Sequence, residues 1–178
     1  YVVADESELA PEVADYLDVV AKPYFNAVVN WLENLRIGMR GGDMYALIER
    51  VLPKAEYHWH LNPGHLVADE EWLCSPIGPH SAACLQSGMI LQIDIIPSRA
   101  GYGGASIEDT VALADSALRR ELAQSYPELW QRIVARRSYI GNRLGIALPE
   151  EVLPFSSTVG YLRPWLLSPE RALVCAPC

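Results

Sequence analysis

Apolar residues recur along the first third of the chain at helical spacing. Val20, Tyr24, Val28, Trp31 and Leu35 lie four, four, three and four positions apart and share one helix face. The pattern predicts a helix from about Val19, with Gly38 as its stop. After a Gly41-Gly42 turn, Asp43 reads as the cap of a short helix from Met44 to about Leu52, ended by Pro53. The period then changes to two. Met89 to Ile96 alternates as a strand, with Met89, Leu91, Ile93 and Ile95 on one face and Ile90, Gln92, Asp94 and Ile96 on the other. Ser98 to Gly104 is a glycine-rich hairpin loop, and Ala105 to Ala114 is the next strand. There Ile107, Asp109, Val111 and Leu113 lie on one side, and Ser106, Glu108, Thr110 and Ala112 on the other. Asp115 caps a helix running to about Ser125, and Tyr126-Pro127 opens another that Gly145 ends.

The remaining segments carry no clear period. Residues 1 to about 18 are acidic and predict an arm or a short helix, and residues 54–87, rich in Pro, Gly, His and Trp, read as loops and short strands. The tail from about Pro149 carries Pro154, Pro164, Pro169 and Pro177 and predicts an ordered coil wrapped on the core. Mixed helical and strand periods make this an α+β chain. The 178 residues, 51% of them hydrophobic, suffice for one domain with a substantial core. We divide it into an arm (1–20), a core (21–115) and a helical, Pro-rich extension (116–178).

Polar residues that interrupt these apolar runs are the chemical candidates. His65 follows Asn62-Pro63-Gly64; Asp94 sits in the strand after Ser87-Gly88-Met89; Glu108 sits in Ile107-Glu108-Asp109-Thr110-Val111. A charge or imidazole in such a setting is costly unless paired, hydrogen-bonded or bound to a cation. Asp94 and Glu108 can face each other across two antiparallel strands, where like charges require a cation or a shared proton. A neutral imidazole with two carboxylates is a normal ligand set for a divalent transition metal, which would activate water for hydrolysis. A loop histidine and strand-edge carboxylates account for the same residues without a metal.

Charge narrows the partners. A net charge of -8 argues against a nucleic-acid partner and gives no anionic-membrane signal. No apolar run approaches the ~20 residues needed to span a bilayer, and no signal segment opens the chain. Four cysteines do not make a disulfide framework in a chain this size, and Cys175-Ala176-Pro177-Cys178 lacks the second pair of a zinc site. Free thiols in a reducing cytoplasm are the expectation. Arg132, Arg136, Arg137 and Arg143 predict a solvated basic helix face that pairs with the acidic remainder.

Taken in order, Pro63-Gly64-His65, Ser87-Gly88-Met89 and Ile107-Glu108-Asp109-Thr110-Val111 resemble the C-terminal half of the pita-bread fold. That fold is shared by methionine aminopeptidase, aminopeptidase P, prolidase and creatinase. The resemblance covers about Ala21 to Asp115. It implies a hydrolase of a peptide or other C–N bond, Xaa-Pro aminopeptidase- or prolidase-like, acting on a small peptide or amino-acid-derived substrate through metal-activated water. It also implies a divalent transition metal (Mn, Co or Zn) held by His65, Asp94 and Glu108, with His65 and Glu108 catalytic, and a homodimer. Asp94 stands where the family usually has a glutamate. The family's two ligand aspartates belong on a hairpin upstream of Ala21, for which the first twenty residues are too few; Asp5, Asp15 and Asp18 do not show the pattern. The start at Tyr1 and the abrupt entry into the fold favour a piece of a longer enzyme over a diverged relative. The family's further histidine, seven residues after the first, is replaced by Trp72. His58, His60 or His80 would have to substitute in space, and Trp72 and His80 are the candidate substrate-binding residues. Two alternatives accompany this reading: a metal-free, creatinase-like hydrolase, and a non-catalytic relative that binds a peptide or partner in the same cleft.

Overall fold

The computed structural model describes residues 1–67 and 75–176. A π-helical turn at Leu17–Ala21 leads into α1 (Lys22–Asn34), so the predicted helix is present but ends four residues before Gly38. Its stop is the Arg36 guanidinium, which donates to the carbonyls of Glu33 and Leu35 at 2.7 and 2.9 Å and satisfies groups the helix leaves open. Tyr24, Ala27, Val28, Trp31 and Leu32 of α1 are fully buried.

The second helix, α2, spans Gly41–Val51 and begins ahead of Asp43. The expected Asp43 cap does not form. Gly41 N donates to Ala83 O and Gly42 N to Ser81 O, so a distant segment satisfies the first-turn amides instead. The contact is close: a Cβ on Gly41 would lie 1.8 Å from Pro76 O. A short helix, α3 (Lys54–Tyr57), follows.

Four strands form one antiparallel sheet in chain order: β1 (His65–Leu66), β2 (Ile90–Gln92), β3 (Thr110–Leu113) and β4 (Val152–Pro154). The predicted strands are longer than the observed ones, although pairing continues past β2 through Ile93 N to Asp109 O at 3.0 Å. Strand β4 falls in a segment where prolines argued for coil. Pro154 is tolerated at its end, where Phe155 N takes over the bond to Thr110 O.

Alternation decides what covers each face. Leu91, Ile93, Val111, Leu113 and Val152 pack into the core that α1 supplies. On the other face, Ala112, Leu153 and Ile90 pack with Ile133, Leu118, Leu122, Leu129 and Trp130 of α4 (Ser116–Ser125) and α5 (Pro127–Tyr139). Asp115 caps α4 as expected, its carboxylate accepting from Ala117 N and Leu118 N at 2.9 Å each. A π-turn, Ile140–Leu144, extends α5 to Gly145, which takes φ +74°.

Of the four arginines expected on a solvated basic face, Arg132 and Arg143 are exposed, whereas Arg136 and Arg137 are turned to backbone carbonyls. Arg137 donates to the carbonyls of Leu148, Pro149 and Val152, and Arg136 to those of Pro154 and Phe155. These guanidiniums therefore clamp β4 and the turn before it. The arm also packs on its own chain: Leu166 N donates to Tyr1 O, Leu167 N to Val3 O, and Ser168 Oγ to Ala4 O. Among the described residues no helix is long and apolar enough to cross a membrane.

Candidate functional site

Pro63 and Gly64 place His65 where α1 and β2 nearly touch. Gly64 adopts φ +142°. A Cβ there would meet Gln92 O at 3.1 Å and the side chains of Ile77 and Trp31 at 3.2 Å. Only glycine fits both that dihedral and that gap. The turn delivers His65 opposite Gln92, on the face of β2 that also carries Asp94 by alternation.

His65 and Asp94 are both buried, 6% and 4% exposed. The imidazole is held from its Nδ1 side. Its Nδ1 lies 2.9 Å from Leu66 O, which can only accept, so Nδ1 carries the proton of that bond. Its Nε2 faces Asp94 Oδ2 at 3.6 Å. An imidazole nitrogen and a carboxylate oxygen are donors that a divalent transition ion takes, and at 3.6 Å both would reach one ion. His65 and Asp94 therefore fit as two ligands of one divalent transition ion. They border a cleft of about 50 Å³ completed by Leu61, Asn62 and Ser75. That is room for an ion or a few waters, at roughly 10–15 Å³ for each water.

Glu108 does not join them. The β2–β3 register, continued two residues, sets it across from Asp94 as expected, but its side chain is exposed. Among the described residues no group of three or more His, Cys, Asp and Glu side chains that could hold a metal is formed. His80 belongs elsewhere: it lines a wider cleft of about 660 Å³ with Arg40, Asp43, Glu49 and Ser81. The cause is the docking of Ser81 and Ala83 on the α2 amides, which carries the adjoining turn away from His65. His58 ends α3 with φ +44° and His60 bridges to Ile96; both are exposed. Trp72, Cys74 and Cys178, and with Cys178 the CxxC reading, lie outside the described residues. Cys84 is a free thiol.

Asp109, which the alternation had put on the apolar side, is a buried carboxyl that sequence reasoning did not single out. It is 2% exposed, and its Oδ1 accepts from Ser156 Oγ at 2.8 Å and Thr158 Oγ1 at 2.6 Å. Tyr24 stands beside it, accepting from Ile107 N at 2.6 Å. Burial pushes the Tyr24 hydroxyl well up, and the carboxylates of Asp109, Asp94 and Glu108 add to that. Tyr24 is therefore a neutral structural hydroxyl under the acidic side of the sheet. Ser75 was also missed; it lies between the Gly-His and Gly-Met motifs, and only the fold brings its hydroxyl to Gly64 O.

No family model matches the chain, and no curated protein matches it. Solved structures do. A dipeptidase from Pyrococcus horikoshii OT3 is 24% identical with a TM-score of 0.45, over 55% of this chain and 28% of that one. An Xaa-Pro dipeptidase from Bacillus anthracis is 21% identical with a TM-score of 0.44, over 58% and 29%. The dipeptidase PepE from Mycobacterium ulcerans is 26% identical with a TM-score of 0.47, over 64% and 29%. The chain spans less than a third of the length of these structures. Each match covers somewhat more than half of this chain.

Proposed function

We propose that this chain carries one side of the water-activating site of a hydrolase that cleaves a peptide or other C–N bond, with small Xaa-Pro peptides as the substrate class. The observation that carries the reading is the buried His65–Asp94 pair, 3.6 Å apart, on a polar cleft of ion and water size. Leu66 O fixes the imidazole so that Nε2 is the nitrogen offered to the cleft. Asp94 supplies the anionic donor beside it. A divalent transition ion held between them would polarise a substrate carbonyl and lower the pKa of bound water. Asn62 and Ser75 add polar lining on the same cleft. In this proposal Glu108, opposite Asp94, completes the ligand set once it turns inward.

A serine-type mechanism fits less well. Ser75 shares the cleft, but its Oγ lies 2.7 Å from Gly64 O, and both imidazole nitrogens already face oxygens. The exposure of Glu108 favours a second reading, a peptide-binding relative without catalysis. Hydrolysis of Xaa-Pro dipeptides after loading with Mn²⁺, Co²⁺ or Zn²⁺ separates the two. The hydrolase reading expects turnover that His65→Ala abolishes. Peptide binding without turnover, unchanged in His65→Ala, would establish the second reading instead.

A further inference from the structure

Ser75 holds the other side of the His65 cleft, ten residues further along the chain. Its Oγ lies 2.7 Å from Gly64 O and 3.1 Å from Ile77 O, and it accepts from Ile77 N at 3.2 Å. A hydroxyl has one proton to give, and the shorter contact assigns it to Gly64 O. That carbonyl and the His65 amide nitrogen belong to one peptide plane. Fixing Gly64 O therefore fixes the plane from which the His65 side chain departs. The β1–β2 pairing of His65 with Gln92 also bears on this plane, but on its Gly64 side there is no side chain to hold it, and φ +142° is a region open to glycine.

We propose that Ser75 is a positioning residue for His65: by holding the Gly64–His65 peptide it keeps Nδ1 on Leu66 O and so commits Nε2 to the cleft. The inference rests on the proposed function for its purpose, but not for its geometry. Without the Ser75 bond the carbonyl side of this peptide loses a restraint that the pairing with Gln92 does not supply, the Nδ1 contact to Leu66 O loosens, and either ring nitrogen can carry the proton. A metal ligand whose outer partner is removed typically loses about 10–100-fold in affinity.

The test is the ¹⁵N spectrum of the His65 ring in the metal-free chain, with Ser75→Ala and Ser75→Thr compared with the wild type. The expected result is a wild-type ring protonated at Nδ1, a mixture of both tautomers in Ser75→Ala, and recovery in Ser75→Thr, which keeps the hydroxyl. Unchanged ring shifts in a folded Ser75→Ala would overturn the proposal, since a purely structural serine would lower stability without moving the tautomer. If Ser75→Ala does not fold, Ser75→Cys, a weaker donor at the same place, carries the same comparison. Zn²⁺ titration of the same proteins forms a separate arm, in which Ser75→Ala is expected to bind about 10–100-fold more weakly. A wild type that binds no Zn²⁺ would defeat the hydrolase reading and leave the ring spectrum to decide the role of Ser75.

Discussion

His65 owes its orientation to Leu66 O, which holds Nδ1 and leaves Nε2 facing Asp94 Oδ2. Its placement follows from the Pro63-Gly64 turn, and the sequence signal was of the same kind: an imidazole after a turn that needs glycine. Asp109 depends on a different set of partners. Its two hydroxyl donors come from residues 47 and 49 positions away, so the carboxyl ties β3 to the start of the tail. Hydrogen bonds to a charged group contribute about 1.5–3 kcal/mol each, and their removal strands the hydroxyls. Asp109→Ala is expected to lower the unfolding free energy by about 2–3 kcal/mol in urea titrations, and Asp109→Asn by less, because the amide oxygen still accepts. An Ala variant as stable as the wild type would show that the tail is held by packing alone. The acidic residue at 109 was legible as lying on the buried face, but not its purpose, because Ser156 and Thr158 are brought to it by chain closure across β4.

Among the elements, the helices were the most readable and their ends the least. Asp115 caps α4 as expected because cap and helix are adjacent in sequence. Asp43 does not cap α2, because Ser81 and Ala83 reach its amides first and no local pattern records them. Strand β4 was hidden for a related reason: it is held by pairing with β3 and by the Arg136 and Arg137 side chains, while its own prolines argue against it. Two predictions follow from these ends. The backbone bond from Leu118, the Ser87 side chain and the bond from Ala117 hold the Asp115 carboxyl below its ordinary value. Since the folded value lies below the unfolded one, the cap contributes fully above the unfolded value, about 3.9, and its contribution disappears as the pH falls through the folded value. Protection of the Ala117 and Leu118 amides, measured as exchange relative to the intrinsic rate at the same pH, is expected to fall on acidification below about pH 4. Asp115→Asn should flatten that response; an equally steep one would assign the acid sensitivity to another group. Gly41→Ala sets a Cβ 1.8 Å from Pro76 O. It is expected to lower stability by about 1–3 kcal/mol or more, seen as a drop in melting temperature, and an unchanged melting temperature would mean that the α2 junction is looser than its contacts indicate.

At the scale of the molecule, a four-stranded antiparallel sheet lies between α1 on one face and the α4–α5 pair on the other. The pair covers Ile90, Ala112 and Leu153, whereas His65 and Asp94 lie further along that face, where a cleft opens. This arrangement was visible in outline from the change of period along the chain and from the order of the Gly-His, Gly-Met and Glu-Asp-Thr-Val motifs. The relation between Asp94 and Glu108 was legible in register, because alternation and antiparallel pairing fix it. Their different burial was not, since it depends on His65 closing over one carboxylate and nothing covering the other among the described residues. The central claim is that His65 and Asp94 together form one side of a metal site. Calorimetric titration of the chain with Zn²⁺, in parallel with His65→Ala and Asp94→Asn, tests it most directly. The account predicts one ion per chain, with binding lost in each variant while the fold persists by circular dichroism. A wild type that takes up no ion, or binding that survives both substitutions, would contradict it.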